Sequence, residues 1–590
     1  MTDLRKEFNE AWNFLEQGHI RPAVQQAGQI LEALLRELCQ NLLPKLPASE
    51  ATKMSTALEE IGKGKPLERL TLGELVAVFY KARLADACQK YLGMNLSTMA
   101  NESMVKGWVD LRNRASHAGE SVSSEEAERF LVNLKALLRE AQVLKPVSVG
   151  KKIPAWWEVA KPHRDILEGK TEASRFAAKL DEVVAGRGDA EYVNAKEFFS
   201  HTYMTLGLRN LISEALKRLS GKGGSGVLHL ETAFGGGKTH SLIALYHFFT
   251  SGEELADPFW IHGVREETGV ERIPAARVLT FVGTEADPQG PSPWGLFGQK
   301  LGKYELVKSH DERRQSPGKA KLRELLGEEP TLILIDEIAE FLCRLVEPQA
   351  LAGGNKEAAR AYQSQVLSFI HELTEVATEL PRCLLVLTTT TSTAYGEEGE
   401  RIQRDLKQIA GRMHRQFEPV GSEDIYEVVR RRLFEDLGDP EIHEAVAEEF
   451  LKIYRDQAAN LPEEAADPKY KQKLIRAYPF HPELIDVLYN QWGSYSQFQR
   501  TRGVLRFLAL VVQDGWKKKV PSPLIRLSDV PLGHREVRQS LLSCIGREYE
   551  SVIGCDIAGS REIARQIDRT LPKEQGELRL AEGLATCIFL

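Results

Sequence analysis

Apolar positions in the first 145 residues recur at helical spacing. Ala27, Leu31, Leu34, Leu38 and Leu42 line one face of a helix with Pro22 in its first turn. Phe130, Leu134, Leu138 and Ala141 line another, preceded by Ser123 and Glu126 at the spacing of a capping box. The period then changes. Val227-Leu228-His229-Leu230, the stretch from Arg277 to Thr284, Leu332-Ile333-Leu334-Ile335 and the stretch from Cys383 to Leu387 are short runs dominated by aliphatic residues. Such runs suit strands buried on both faces of a parallel sheet. Helical patterns return at Leu242-Ile243 with Leu245-Tyr246, at the basic stretch from Ile409 to Gln416, and from Ile425 to Phe434. The pattern predicts a multidomain α and α/β protein. An N-terminal all-α bundle precedes a three-layer α/β core with a mostly parallel sheet, and a helical lid follows.

Composition marks the joints. Lys145-Pro146 to Pro154 reads as a linker, and Ser220 to Gly226 as a glycine-rich lead into the first strand. The expected divisions are 1–145 (helical domain), 146–220 (linker and helical segment), 221–420 (core), 421–520 (lid) and 521–590 (the start of a C-terminal region). Residues 312–320 and 347–356 are polar or glycine-rich and are expected to be mobile loops. The uncapped apolar run from Leu584 to Leu590 reads as a buried element cut short, as expected of a piece of a longer protein.

Between the first strand and its helix stands Thr232-Ala233-Phe234-Gly235-Gly236-Gly237-Lys238-Thr239-His240. Strand, glycine loop, Lys-Thr and helix form the layout of a phosphate-binding loop. Glycines let backbone N–H groups turn toward phosphate oxygens, Lys238 adds positive charge, and the Thr239 hydroxyl is a Mg²⁺ ligand candidate. Thr232 stands where the generic pattern G-x-x-x-x-G-K-[ST] has its first glycine. The competing reading is a glycine-rich turn before an ordinary helix. Asp336 and Glu337 end the third apolar run, where open α/β sheets bind ligands. Asp336 is placed to hold the Mg²⁺ shell and Glu337 to polarise an attacking water, so ATP and Mg²⁺ are the expected cofactors.

The helical domain carries its own candidate chemistry in Trp108-Val109-Asp110-Leu111-Arg112-Asn113-Arg114-Ala115-Ser116-His117-Ala118-Gly119. The arginine, polar residue and histidine resemble the R-x4-H motif of HEPN domains, small helical RNases and nucleotide binders. The resemblance implies metal-free RNA cleavage. His117 would be the general acid or base, Arg112 would hold the scissile phosphate, and Asn113 would orient the phosphate or the histidine, with the RNA 2′-hydroxyl as nucleophile. On a regular helix Arg112 and His117 stand about 140° apart, so a helix break or a second chain must bring them together. The competing reading is a helix end with an exposed arginine and a histidine near a glycine cap.

Charge and cysteine content narrow the class. A formal net charge of −7 argues against a broadly basic nucleic-acid binder. The 7 cysteines include no C-x-x-C pair, against a zinc site or disulfide framework and in favour of a reducing cytosol. No signal peptide or membrane-length apolar run appears, so a cytoplasmic location without membrane contact is expected.

From about Trp156 to Leu590 the chain resembles large bacterial and archaeal AAA+ ATPases of phage-defence and DNA-modification operons, a family of unknown function. The match is carried by Pro154 to His163, Glu197 to Tyr203, Gly235 to His240, Asp336-Glu337, and Tyr478-Pro479-Phe480-His481-Pro482. It implies ATP hydrolysis and a role in defence but no known substrate. The expected partners are further copies of the chain in a homo-oligomer, RNA at the HEPN-like domain, and DNA or DNA-modification or restriction proteins of the same operon. In AAA+ proteins a polar residue on the strand after the acidic pair senses the γ-phosphate, which points to Thr389 or Thr390. An arginine near the end of the core reaches a neighbour's nucleotide, with Arg412 and Arg415 as candidates. The lid's sensor arginine corresponds to Arg506, three residues after Gly503, with Arg502 as the alternate.

Overall fold

Helices dominate the described residues, and a five-stranded parallel sheet lies among them. The computed structural model describes residues 4–16, 19–117, 121–143, 153–169, 178–232, 237–252, 254–255, 259–346, 356–390, 396–410, 415–417, 424–492, 501–559, 563–572 and 578–590. The chain divides into two compact units. One comprises Met1–Lys161, Asp257–Glu267 and Asp436–Tyr478, the other Pro162–Ala256, Thr268–Glu435 and Pro479–Leu590. The stretch read as one lid, 421–520, contributes to both.

In the first unit the helix Ile20–Leu42 is central, and Leu4–Glu16, Leu72–Lys81, Glu102–Ser116 and Ser124–Glu140 pack around it. Its stripe Ala27, Leu31, Leu34, Leu38 and Leu42 is buried, as are Phe130, Leu134, Leu138 and Ala141. The Trp108 and Phe130 rings stack with centroids 5.3 Å apart. The capping box closes as spaced: the Glu126 carboxylate accepts from the Ser123 amide at 2.9 Å, and the Ser123 hydroxyl accepts from the Glu126 amide. The helix Pro440–Asp456 also belongs to this unit, and Lys135 pairs with its Glu444 at 3.1 Å and Arg139 with its Glu441.

The second unit holds the sheet. Its strands are β1 (Val227–Thr232), β2 (Arg277–Val282), β3 (Thr331–Asp336), β4 (Cys383–Thr390) and β5 (Arg415–Phe417). Their order is β2-β3-β4-β1-β5, and every pairing is parallel. β5 corrects the helical reading of Ile409–Gln416. The helix Gly396–Ala410 ends first, and Arg415–Phe417 pairs with Leu228–Leu230 at the sheet edge. Three residues are too few for a period of 2 to be told from one of 3.6. Residues 312–320 are also not one loop, because helices Tyr304–Glu312 and Gly318–Leu326 occupy its two ends. Within 347–356, residues 347–355 lie outside the described residues. The run from Leu584 is not a buried element. Leu584 and Ile588 are 63% and 78% exposed on the helix Leu580–Phe589.

Strand parity decides what stands at the sheet's C-terminal edge. Successive side chains point to opposite faces. Ile333, Ile335, Leu385 and Leu387 pack in one core with Val366, Phe369 and Leu373 of the helix Lys356–Glu379. Asp336 and Thr388 therefore belong to the opposite face. Thr389 shares parity with Leu387 and, through the β1–β4 register, with His229.

Candidate functional site

Lys238 opens the helix Lys238–Ser251, and Gly237 before it has φ 80°, a left-handed conformation that glycine adopts without strain. The amide and hydroxyl of Ser241 both donate to the Gly237 carbonyl, each at 2.9 Å. Phe234, Gly235 and Gly236 lie outside the described residues. Lys238 is only 8% exposed. Burial lowers its pKa to about 8, against the carboxylates of Asp336, Glu337 and Glu231, which favour its charge.

Asp336, the last residue of β3 and 2% exposed, receives two hydroxyls. Thr239 donates to its Oδ2 at 2.7 Å and Thr388 to its Oδ1 at 2.6 Å. The Thr388 oxygen in turn accepts from the Glu337 amide at 3.2 Å. Burial raises the Asp336 pKa, against the two hydroxyl bonds and the Lys238 charge. Thr239 and Asp336 thus form a pair of hard oxygen donors beside a lysine, a set that suits Mg²⁺ with a phosphate ligand.

Glu337 follows at φ 51°, an uncommon conformation for a residue other than glycine. Burial and then the Asp336 charge raise its pKa, while a hydrogen bond from Thr284 opposes the shift. The loop that brings Thr284 is tied down closely. The Gly283 amide donates to the Asp336 carbonyl at 2.8 Å, and a β-carbon at Gly283 would lie 2.0 Å from the Glu337 carbonyl oxygen. Arg344 clamps the same loop, donating to the carbonyls of Thr284 at 2.9 Å and Gly283 at 2.8 Å, and also to that of Ala286.

Other candidates fall elsewhere. Thr389 hydrogen-bonds His229 at 2.8 Å, whereas Thr388 is the strand residue that bonds Asp336. His240 pairs with Thr202 at 2.9 Å and lies against Phe198, with ring centroids 4.5 Å apart. Burial, then the charges of Arg432 and His247, push its pKa down to about 4. Arg432 is buried with Glu191 at 2.6 Å and Asp165 at 3.4 Å. Burial opposes its charge, but Glu191, Tyr192 and Asp165 more than offset that. Arg502 and Arg506 share the helix Thr501–Lys518. Burial lowers the Arg502 pKa, Tyr192 opposes the shift and Arg506 adds to it. Arg412 lies outside the described residues, and Arg415 is described only as backbone of β5.

In the helical bundle, Arg112 and Asn113 lie on the helix Glu102–Ser116, and Arg112 Nη1 donates to Asn113 Oδ1 at 3.3 Å. The helix stops at Ser116, and His117 is exposed and extended, with φ −98° and ψ 127°.

Sequence reasoning missed Thr388, Thr284, Arg344 and the Arg432 cluster. A signal for Thr388 was available in strand parity, given the register. The others are joined only by tertiary contacts. Among the described residues there is no cluster of three or more His, Cys, Asp or Glu able to hold a metal, and no helix is long and apolar enough to cross a membrane.

Fold and site define a multidomain protein whose parallel α/β core carries a buried lysine, a threonine and paired acids at the sheet's C-terminal edge. The DUF499 N-terminal domain model matches residues 159–277 and 292–425, and the DUF499 second domain model matches 421–590. The chain therefore carries both DUF499 domains. No curated protein matches it.

Proposed function

We propose that this chain is an ATP-binding and ATP-hydrolysing AAA+ protein of a prokaryotic anti-phage defence system, in which nucleotide state gates RNA cleavage by an N-terminal HEPN-type bundle. One observation carries the ATPase reading: Thr239, on the helix after β1, and Thr388, on β4, both donate to Asp336 at the end of β3, beside the buried Lys238. Thr239 and Asp336 would hold Mg²⁺, which supplies charge neutralisation at the terminal phosphates. Lys238 binds the β/γ-phosphates, and its own burial strengthens that electrostatic contact. Glu337 orients the attacking water and accepts its proton. Arg412 or Arg415 acts on a neighbouring subunit's nucleotide in a homo-oligomer. The defence setting and the cytoplasmic location rest on the family resemblance and on composition.

In the bundle, His117 takes the proton of the RNA 2′-hydroxyl as that oxygen attacks phosphorus. The bond to the 5′-oxygen breaks, leaving a 2′,3′-cyclic phosphate, and the departing oxygen takes its proton from water. Arg112 steadies the phosphate charge and Asn113 orients Arg112, in line with the 3.3 Å bond between them. The second reading is a non-nuclease regulator of DNA-modification or restriction partners, with the bundle as an interaction module.

The test is RNA cleavage by the purified full chain with and without ATP, beside His117→Ala. Cleavage by wild type that His117→Ala loses supports the nuclease. Intact RNA in both nucleotide states, with defence still abolished by Lys238→Ala, supports the regulator.

A further inference from the structure

The RNA-site residues are presented by the central helix of the bundle as much as by the helix that carries them. The last carbonyls of any helix lack intrahelical partners. Here the central helix Ile20–Leu42 supplies two of them. Arg21 donates from Nη1 to the carbonyl of His117 at 3.1 Å. Gln25, 5% exposed, donates from Nε2 to the carbonyl of Ala115 at 3.1 Å. One turn further on, Gly28 faces the side chain of Arg112. A β-carbon there would lie 2.4 Å from Arg112 Cγ and 3.1 Å from its Cβ. Arg21, Gln25 and Gly28 stand at i, i+4 and i+7, one stripe of a helix. Both hydrogen bonds go to the main chain. They set the backbone where the motif helix breaks, at the residue that bears the His117 imidazole. The glycine leaves a slot for the stem of Arg112, which sets where its guanidinium emerges.

We infer that Gly28 and Arg21 are positioning residues of a site for a single-stranded RNA phosphodiester, Gly28 acting through Arg112 and Arg21 through His117. This inference rests on the ribonuclease reading. Gly28→Ala pushes the Arg112 stem aside by on the order of 1 Å, a displacement that can cost about 100-fold in a reaction dependent on orientation. Arg21→Ala frees the His117 carbonyl and the segment that bears it. Arg21→Lys keeps a cationic donor at the same place.

The experiment uses the full chain and two probes: a 2′-O-methyl single-stranded oligonucleotide that cannot be cleaved, and the unmodified RNA. Gly28→Ala and Arg112→Ala are each expected to weaken binding of the methylated strand about 10-fold. The double variant is expected to be no weaker than Arg112→Ala alone, because the two act through one group. Arg21→Ala is expected to bind that strand like wild type and to cleave the unmodified RNA about 10-fold more slowly at unchanged KM, with Arg21→Lys recovering most of the rate. Wild-type binding by Gly28→Ala, losses that multiply in the double variant, or wild-type cleavage by Arg21→Ala overturns the assignment. If wild type binds the methylated strand but leaves RNA intact, the ribonuclease reading fails, the Arg21 role falls with it, and the binding cycle alone decides the Gly28 role. A wild type that neither binds nor cuts overturns both. Should Gly28→Ala not fold, the Arg21 pair, made at an exposed hydrogen bond, decides the positioning claim.

Discussion

The hydroxyl of Thr388 donates to Asp336 Oδ1 at 2.6 Å, while the neighbouring Thr389 turns to the other face of the sheet and bonds His229 at 2.8 Å. Two adjacent threonines of one strand therefore serve different environments. Thr388→Val keeps the shape and removes the donor, leaving Asp336 buried with one hydroxyl fewer. A stability loss of about 1–3 kcal/mol is expected, read by urea denaturation. ATP turnover is expected to fall about 10-fold or more with it, since the carboxylate that orders Thr239 is displaced. Thr389→Val is the internal control. It touches His229 and is expected to leave turnover within about 2-fold of wild type.

Lys238 makes the pH dependence of the ligand-free protein diagnostic. Its folded pKa, about 8, lies below its ordinary value of 10.5. Between those values the unfolded chain holds a proton that the folded chain has released, so stability rises with pH across that window. Below it the full cost of burying the charge applies, on the order of 3 kcal/mol. Lys238→Met is expected to be more stable than wild type at pH 7 and to lose the rise between pH 8 and 10.5. The same variant is expected to lose ATP binding, measured by titration calorimetry. Lower stability at pH 7 would show that the lysine is held by interactions that outweigh its burial.

Glu337 sits in a strained backbone position, with Thr284 bonded to its carboxyl group. Glu337→Gln preserves the shape and removes the carboxylate proposed to act as the base. ATP binding is expected to persist, while turnover falls by about 100-fold or more. Single-turnover phosphate release measures this directly. Unchanged turnover would remove Glu337 from the role of water-orienting base.

How much of this was legible in the residues alone depends on the range of each interaction. The stripe Ala27 to Leu42, the Ser123–Glu126 capping box and four of the five strands follow from local period and composition, and the structure carries them as read. β5 was not legible, because Arg415–Phe417 is held by pairing with β1 rather than by its own pattern. Asp336 could be picked out as an acid closing an aliphatic run. Its partner Thr388 could not, since the choice among Thr388, Thr389 and Thr390 needs the register of β3 against β4. The same holds for Arg21 and Gly28, whose meaning comes from a helix about ninety residues later in the chain. Long-range pairing, not propensity, hides them.

Arg432 links segments far apart in the sequence, with Glu191 at 2.6 Å and Asp165 at 3.4 Å, and its charge helps keep His240 neutral on the helix that Lys238 opens. All three ionic side chains are largely buried. Removing one member of such a cluster strands the others, whereas replacing the whole set by neutral groups need not cost much. Arg432→Met is therefore expected to destabilise by about 3–5 kcal/mol in urea denaturation. Adding Glu191→Gln and Asp165→Asn to Arg432→Met is expected to recover much of that loss. Losing Arg432 also removes a charge that disfavours the His240 imidazolium. The His240 pKa is then expected to rise from about 4, which ring-proton resonances followed through a pH titration report. A triple variant as unstable as Arg432→Met alone would mean that the arginine's packing, rather than its charge, holds these segments together.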